Sequence, residues 1–370
     1  MIIRKEREED YYAAELMCQR AFWNMHGPGC DEHLLVHKLR GAKEYLPEIS
    51  RVAEVDGKIV GGIYFSKAWV EDTDKVHDIV TFGPLAVDPS AQNTGVGAAL
   101  LKEGIRLAKE AGYAGIVIFG EPDYYPKHGF VTTERFGITD QNGKCFNALM
   151  AYPLNDSFCE IHGKIKEAEV FETLTEEDAE EYSKKFPYLG KMNFPTQWNY
   201  DNATQEKDGY RMLPAVQRPR EFRVLFNEYI EELSKYNPWM VDKKDENGDY
   251  LSMVREQFFA EVEKEPCVIY VGDEPAGLAV FSVCSEEEAG YRYSIEELYV
   301  KEVFRGRGIG RDVLLRQLRQ VDDVLGFYVL KANERAVALW EHVLTEVEYS
   351  FEKVSADEKL WSYRVMCKEK

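Results

Sequence analysis

Two short glycine-rich stretches are the parts of this chain best suited to hold a ligand. The first is Gln-Asn-Thr-Gly-Val-Gly at 92–97, and the second is Arg-Gly-Arg-Gly-Ile-Gly at 305–310. Each follows a β-rich run and opens an amphipathic helical pattern. Glycine lets the backbone approach a ligand closely, and a helix start carries free N–H groups and the positive end of the helix dipole. The pattern therefore predicts a cradle for phosphate oxygens in each half of the chain.

Two other phosphate-binding patterns do not fit these loops. A dinucleotide-binding turn needs G-x-G-x-x-G and a P-loop needs G-x-x-x-x-G-K-[ST], and neither spacing occurs in either loop. A strand–helix turn that binds nothing is the remaining alternative for a single loop. Arg305 and Arg307 favour phosphate in the second loop, since they can add charge-assisted contacts.

The same order of predicted elements surrounds both loops. Around the first loop the patterns indicate a helix, a hairpin turning at Asp56-Gly57, a strand, a helix after the loop and a buried strand, at 8–20, 51–70, 79–87, 97–110 and 114–120. Around the second they indicate a helix, a hairpin, a strand, a helix and a strand, at 221–236, 267–283, 294–300, 311–321 and 326–333.

This order predicts two copies of one domain. The loops begin about 210 residues apart, too far for a solenoid repeat. We therefore predict domains at 1–154 and 208–370. Between them, 155–207 is rich in charge and tyrosine and is interpreted as an ordered connector, in which Thr175 is placed to cap a helix.

The composition narrows the kind of partner. The 46 Lys+Arg and 66 Asp+Glu give a formal net charge of −20, which repels nucleic acid and anionic membranes. A cationic amine is favoured over an anionic substrate, although the acidity can also serve solubility alone. The chain lacks an apolar run of the roughly 20 residues that a membrane helix needs and a signal-peptide pattern, so we expect a cytoplasmic protein. Seven cysteines show no Cys-x-x-Cys pair and no zinc spacing, so no metal site is predicted.

Both loops resemble the R/Q-x-x-G-x-G/A pyrophosphate loop of the GNAT acetyltransferase superfamily. The segment from Tyr125 to Phe130 resembles that family's Y-x-x-x-GF stretch, and KANERAVALWEHV is similar to its Asn-x-x-Ala element. The resemblance covers most of 1–154 and about 208–370. The N-terminal half also resembles the YhbS-like branch, through QRAF, VAEVDGKIVGGIYFS and GPLAVDP. The implied fold class is α/β (α+β), with two mixed, twisted sheets, each flanked by helices.

The resemblance implies acetyl-CoA as ligand and acetyl transfer to a primary amine. It places acetyl-pantetheine along the backbone of Leu85 and Val87 in the first copy, and of Leu298 and Val300 in the second. It places the pyrophosphate on the two loops, at Gln92, Asn93, Thr94, Gly95, Val96, Gly97 and Ala98, and at Arg305, Gly306, Arg307, Gly308, Ile309, Gly310 and Arg311. Asn333 matches the asparagine that bonds pantetheine in the family.

The same resemblance implies that Tyr125 donates a proton to the leaving thiolate, a role that a phenol can fill at neutral pH. The alternative is that Tyr125 only packs. In the second copy Trp340 stands where the tyrosine is expected, and Leu344-Thr345 replaces Gly-Phe. An indole N–H is a poor acid, so we expect the chemistry in the N-terminal domain.

The sequence leaves the general base and the acceptor open. Candidate bases are carboxylates near the two strands, namely Asp78, Glu121, Asp123, Glu296 and Glu297, and a water chain can serve instead. His26 and His33 lie in a region that would line the acceptor side, but they are interpreted as surface or packing residues. A small cationic amine is the preferred acceptor, with a peptide or lysine amine as the nearest competitor. The rival functions are a CoA-binding regulatory protein and a C-terminal copy that only buttresses the first, and the oligomeric state stays open.

Overall fold

The computed structural model describes residues 1–73, 75–194, 196–197, 209–237, 244–246, 248, 250, 258–284, 290–321 and 323–367. The chain divides into two compact units. The N-terminal unit comprises Met1–Phe22 and Asp31–Tyr188, and the C-terminal unit comprises Trp23–Cys30 and Leu189–Lys370. Each unit carries one glycine loop and one mixed sheet with helices beside it, as predicted. Residues 155–188 of the predicted connector belong to the N-terminal unit.

The described part of the N-terminal unit forms a nine-stranded sheet. Its order is β1-β2-β3-β4-β5-β8-β6, with β9 paired to β3 and β7 paired to β9. Only the pairs β4–β5 and β7–β9 are parallel among these strands. The strands are β1 (Ile2–Arg4), β2 (Arg51–Val55), β3 (Lys58–Glu71), β4 (Val76–Val87), β5 (Gly115–Phe119), β6 (Val131–Thr132), β7 (Ile138–Thr139), β8 (Leu149–Pro153) and β9 (Gly163–Lys166).

Helices cover both faces of this sheet. They are α1 (Tyr11–Phe22), α2 (Glu32–Gly41), α3 (Val96–Glu110) and α4 (Glu176–Ser183). Val96 and Leu100 of α3 share one apolar cluster with Val80 and Phe82 of β4. The helices α1 and α2 pack on the other face, where their apolar side chains meet Tyr64 and Ala86. We call these the α3 face and the α1/α2 face.

Two local predictions are confirmed in this unit. The hairpin from β2 to β3 turns at Asp56 and Gly57, which both have positive φ (49° and 77°), as a type I′ turn requires. The helix α4 begins where Thr175 caps it, with the hydroxyl accepting from the Asp178 N–H at 3.1 Å. The helix α2 was not predicted, and it follows directly after residues 23–30, which belong to the other unit.

The described part of the C-terminal unit forms a seven-stranded sheet in the order β10-β11-β12-β13-β14-β16-β15. Its strands are β10 (Arg211–Pro214), β11 (Lys264–Val271), β12 (Glu274–Val283), β13 (Tyr293–Val300), β14 (Val324–Leu330), β15 (Ser350–Ser355) and β16 (Leu360–Met366). Its helices are α5 (Pro219–Ser234), α6 (Ile309–Gln320) and α7 (Glu334–Val347). The helices α6 and α7 share one apolar cluster with the sheet, and α5 packs in a separate one.

Candidate functional site

In each unit the sheet opens at its one parallel pair of central strands. The strands β4 and β5 are paired only at Val80 and Ile116, although β4 runs on to Val87. In the C-terminal unit β13 and β14 are paired only at Tyr293–Leu325 and Ser294–Gly326. Beyond these pairs, the described residues of the two neighbouring strands form no further ladder pairs with each other. We call the openings the N-terminal gap and the C-terminal gap.

A β-bulge lies beside each gap. The pairing of β3 with β4 shifts by one residue between Ile63 and Phe65, opposite Gly83-Pro84. The pairing of β12 with β13 shifts between Val280 and Phe281, opposite Glu296. A bulge bends its strand and releases backbone groups from the ladder. Each gap is therefore bordered by a strand that can offer backbone N–H groups to a ligand.

The first glycine loop connects β4 to α3. Gly95 caps the helix in the left-handed region (φ 90°), and its carbonyl accepts the first intrahelical bond, from the Ala99 N–H at 3.0 Å. The N–H groups of Val96, Gly97 and Ala98 consequently have no acceptor within the helix. A Cβ built at Gly95 would meet no atom within 4 Å, so the loop borders open space. Asn93, Thr94 and Gly95 are exposed, and Val96 is buried under the helix.

The second loop repeats this arrangement between β13 and α6. Gly308 is left-handed (φ 84°), and its carbonyl accepts from the Asp312 N–H at 2.9 Å. The N–H groups of Ile309, Gly310 and Arg311 are therefore the unpaired helical donors. A Cβ at Gly306 or Gly308 would also meet no atom within 4 Å.

The first residue of each loop fastens it to the strand before it. Gln92 donates from Nε2 to the Val87 carbonyl at 3.1 Å, and Arg305 donates from Nε to the Val300 carbonyl at 2.5 Å. The guanidinium of Arg305 also pairs with Glu232 at 2.6 Å. In this structure Arg305 thus positions the loop, while Arg307 is exposed and Arg311 pairs with Glu346.

Two tyrosines lie together beside β4 on the α3 face. The Tyr125 ring is 5.8 Å from Phe82 and 5.4 Å from Phe130, centroid to centroid. Burial raises the pKa of the Tyr125 phenol well above its usual value, so it stays protonated. The Tyr124 hydroxyl lies 3.0 Å from where a Cβ at Gly97 would stand. One phenol therefore lies beside the strand, and the other at the helix start.

The described residues of the C-terminal unit place no such pair of phenols beside the second loop. The corresponding contact at Gly310 is made by Leu339, 3.6 Å from an added Cβ. Trp340 is buried and stacks on Phe327 with the ring centroids 3.5 Å apart, and Phe327 stacks in turn on Tyr363. Trp340 is thus a core residue. Asn333 caps α7, since its Oδ1 accepts from the Ala336 N–H at 3.2 Å.

The predicted candidate bases lie in different surroundings. Asp78 is exposed near the start of β4, and Glu121 and Asp123 follow β5. Glu296 pairs with Lys264 at 3.0 Å. Glu297 accepts from the Tyr229 hydroxyl of α5 at 2.5 Å, and burial raises its pKa to about 7, against the lowering effect of that hydrogen bond.

The two histidines that the sequence placed near the acceptor side, His26 and His33, lie in different units. His33 is buried in α2, where its Nε2 lies 2.9 Å from the Ser183 hydroxyl, and burial lowers its pKa to about 4. It is a neutral packing residue. His26 belongs to the other unit.

Sequence reasoning missed one carboxylate beside the N-terminal gap. Glu167 lies in the predicted connector, just after β9, and its Oε1 is 3.4 Å from the hydroxyl of Thr81 on β4. Burial raises its pKa to about 7. The sequence offered a weak signal for a strand here, since the apolar Ile165 stands between Lys164 and Lys166. In the structure Ile165 is buried and pairs with β3.

Family comparisons agree with this geometry. Residues 47–132 match the acetyltransferase (GNAT) domain, and residues 225–344 match the acetyltransferase (GNAT) family. The chain therefore belongs to the GNAT N-acetyltransferases, with one matching region in each unit.

Two relatives from Escherichia coli are similar to part of this chain. Escherichia coli K12 YhbS, an uncharacterized N-acetyltransferase, is 32% identical over 131 residues, 35% of this chain and 73% of YhbS. The uncharacterized N-acetyltransferase YjhQ of the same strain is 35% identical over 99 residues, 26% of this chain and about half (53%) of YjhQ. The predicted resemblance to the YhbS-like branch is confirmed.

Solved structures of relatives were obtained with ligands. A YhbS structure from Escherichia coli in complex with CoA is 26% identical and covers 47% of this chain and 93% of that one, with a TM-score of 0.42. A GNAT acetyltransferase from Brucella melitensis in complex with acetyl-CoA is 27% identical and covers 46% and 97%, with a TM-score of 0.38. No helix in the described residues has the length and apolar character for crossing a membrane.

Proposed function

We propose that the N-terminal unit transfers an acetyl group from acetyl-CoA to a primary amine. One observation carries the proposal: the N-terminal gap has unpaired helical N–H groups at its loop and a protonated, partly buried tyrosine beside its strand. Acetyl-CoA supplies a thioester that an amine can attack directly. Support for this donor comes from membership of the GNAT family and from relatives solved with CoA or acetyl-CoA.

The chain's own groups would divide the work as follows. The N–H groups of Val96, Gly97 and Ala98 would hold the pyrophosphate, where the helix dipole favours negative charge. The backbone of Leu85 and Val87 would hold the pantetheine arm beside the bulge. A backbone N–H of β4 would polarise the carbonyl under attack, as an oxyanion hole does. Tyr125 would donate the proton that the sulfur needs on leaving.

The acceptor is proposed to be a small cationic amine. The formal net charge of −20 favours cations near the surface, and no basic cluster is needed to hold such a substrate. A peptide α-amine or a lysine side chain is the competing acceptor, since either also presents a primary amine.

For the C-terminal unit we propose CoA binding with little transfer. Its loop offers the equivalent three helical N–H groups, but Leu339 lies where the first unit has Tyr124, and Trp340 packs in the core on Phe327. Asn333 and the backbone of Leu298 and Val300 would hold the pantetheine there. Glu297 is the candidate base that would give this unit residual activity.

The two loops can be tested separately in the full chain. We expect Gly95→Glu to abolish acetyl transfer across an amine panel, because a side chain in the left-handed position is strained and a carboxylate would repel pyrophosphate. Gly308→Glu should leave transfer intact and remove CoA binding by the second loop. Transfer and acetyl-CoA affinity are measured by thiol release and calorimetry.

The matched control is Gly112→Glu, at the other end of α3. Gly112 is also left-handed (φ 85°) with no atom within 4 Å of an added Cβ, so it shares the strain without facing the loop. Wild-type turnover in Gly95→Glu with loss in Gly308→Glu would assign the chemistry to the C-terminal unit. Failure of the wild type to acetylate any amine would refute the proposed function.

A further inference from the structure

The segment after β9 brings a carboxylate onto the central strand of the N-terminal gap. Glu167 is the residue immediately beyond β9, which pairs with the end of β3 through Lys166 and Trp69. The Thr81 hydroxyl of β4 donates to Glu167 Oε1 over 3.4 Å. The segment lies beyond residues 47–132, the range that matches the GNAT domain.

A second contact fixes the same segment on the bulge. Phe171 lies over Gly83, where an added Cβ would stand 3.1 Å from Phe171 Cε1. Phe171 and Val170 also pack with the apolar side chains of α1 and α2. The stretch from Glu167 to Phe171 therefore lies along residues 81–83 of β4, on the α1/α2 face.

A buried hydroxyl adjoins this carboxylate. Ser66 lies directly opposite Thr81 in the β3–β4 ladder, and cross-strand neighbours share a face. Both side chains are buried, and the Ser66 hydroxyl has no hydrogen-bond partner among the described residues. The segment thus sets the Glu167 carboxylate against a buried, polar part of the β3–β4 ladder.

The acid and the carboxylate lie on opposite sides of β4. Tyr125 contacts Phe82, which points to the α3 face, whereas the adjacent Thr81 points to the α1/α2 face. A proton acceptor is needed on the side where an amine approaches, and a proton donor on the side where sulfur leaves. Glu167 and Tyr125 are placed to supply these two groups from the two faces of β4.

The surroundings also suit proton transfer at neutral pH. Burial raises the pKa of Glu167 to about 7, the Thr81 hydrogen bond opposes that rise, and the negative charge of Glu172 adds to it. Glu167 is only partly buried, so it can exchange its proton with water. Asp78, by comparison, is exposed.

We infer that Glu167 is the general base of the N-terminal site and takes the proton of the substrate ammonium directly or through one water. This inference rests on the proposed acetyl transfer.

The step balances in protons and electrons. The ammonium gives one proton to Glu167, and the freed nitrogen lone pair forms the C–N bond at the thioester carbon as the C–S bond breaks. The sulfur takes the C–S electron pair and a proton from Tyr125, and the nitrogen's second proton restores Tyr125. Glu167 then releases its proton to solvent, so that amide, thiol and one proton are formed.

The test measures kcat/KM against pH for the full chain and for Glu167→Gln. A base of this kind contributes about 10²-fold or more, so we expect that loss in the variant near pH 7. The wild-type rate should rise through about pH 7 as Glu167 loses its proton. The variant should lose this limb and recover at alkaline pH, where the amine deprotonates without help.

Two further variants keep the test decisive. Glu169→Gln removes an exposed carboxylate of the same segment, one that does not shift the pKa of Glu167, and should keep kcat/KM within twofold of wild type. Thr81→Val removes the hydrogen bond that lowers the pKa of Glu167, so it should move the rising limb to higher pH. The shift of the rising limb in Thr81→Val can still be measured if Glu167→Gln fails to fold.

The results separate this inference from the function on which it rests. An active wild type with an unchanged rate and unchanged pH limb in Glu167→Gln would overturn Glu167 as the base and leave acetyl transfer standing. A wild type that acetylates no amine would overturn both.

Discussion

At the scale of single residues, the first position of each glycine loop has a structural explanation. Gln92 and Arg305 are chemically different, yet each donates a side-chain N–H to the last carbonyl of the strand five residues earlier. Both can do so because each carries an N–H donor on a side chain of suitable length. The loop is thereby closed against its strand before any ligand binds, which preorganises its amides.

The neighbouring phenols Tyr124 and Tyr125 give a prediction at the same scale. We expect Tyr125→Phe to lower kcat by about 10²-fold with little change in acetyl-CoA affinity, because the proton donor is lost while the ring still packs on Phe82. Steady-state kinetics and calorimetry measure the two quantities.

Tyr124→Phe is the matched control for this prediction. Its hydroxyl lies at the start of α3 near Gly97, so its loss should act on acetyl-CoA binding rather than on kcat. If Tyr124→Phe lowered kcat and Tyr125→Phe did not, the acid would have to be reassigned to Tyr124.

At the scale of elements, one arginine holds together the layer that covers the α1/α2 face. Arg40 of α2 pairs with Glu6 at 2.8 Å and also with Glu15 of α1, and all three side chains are buried. Glu15 in turn accepts from the Tyr182 hydroxyl of α4 at 2.9 Å. Three helices thus share one network of buried charge.

This network predicts a large stability effect. We expect Arg40→Gln to reduce the free energy of unfolding by about 3–5 kcal/mol, because two buried carboxylates would lose their counter-charge. Urea unfolding of the full chain, followed by a probe of the N-terminal unit, measures it.

Arg106 provides the comparison, since it also pairs with two glutamates, Glu103 and Glu110, but on the exposed side of α3. Arg106→Gln should leave stability almost unchanged, because surface ion pairs contribute little. Equal effects of the two substitutions would contradict the assigned role of Arg40.

At the scale of the whole molecule, the two units share one backbone arrangement at the gap and loop and differ in the side chains beside it. Both have a gap, a bulge and a left-handed glycine before a helix. In the N-terminal unit two phenols lie beside the gap, whereas among the described residues of the C-terminal unit Leu339 lies at the helix start and Trp340 stacks on Phe327 in the core. The shared fold therefore does not by itself give the two units the same candidate catalytic side chains.

The net charge of −20 leads to a prediction about substrates. For a dicationic amine we expect KM to rise as salt is added from low to physiological ionic strength, and to rise less for a monocationic amine, because salt screens the attraction. The KM for acetyl-CoA, an anion, should not rise. Equal salt dependence of the two amines would remove charge as a reason to prefer cationic acceptors.

The local features of this protein were readable from its sequence. The turn at Asp56-Gly57, the Thr175 cap and the amphipathic helices after both loops depend on neighbouring residues and on periodicity, and the structure has them where they were expected. The helix α2 and the ion pair between Arg305 and Glu232 were not foreseen, and the latter joins residues 73 positions apart.

The sequence by itself thus determined where the two glycine loops and their helix starts lie, because glycine placement and helix starts are properties of a few adjacent residues. The tertiary structure alone decided which side chains accompany them. Glu167 and Thr81 are 86 residues apart, and they come within reach only because β9 joins the edge of β3 and its following turn lies on the bulge of β4. Strand pairing over such separations depends on the packing of the whole sheet, which no short pattern encodes.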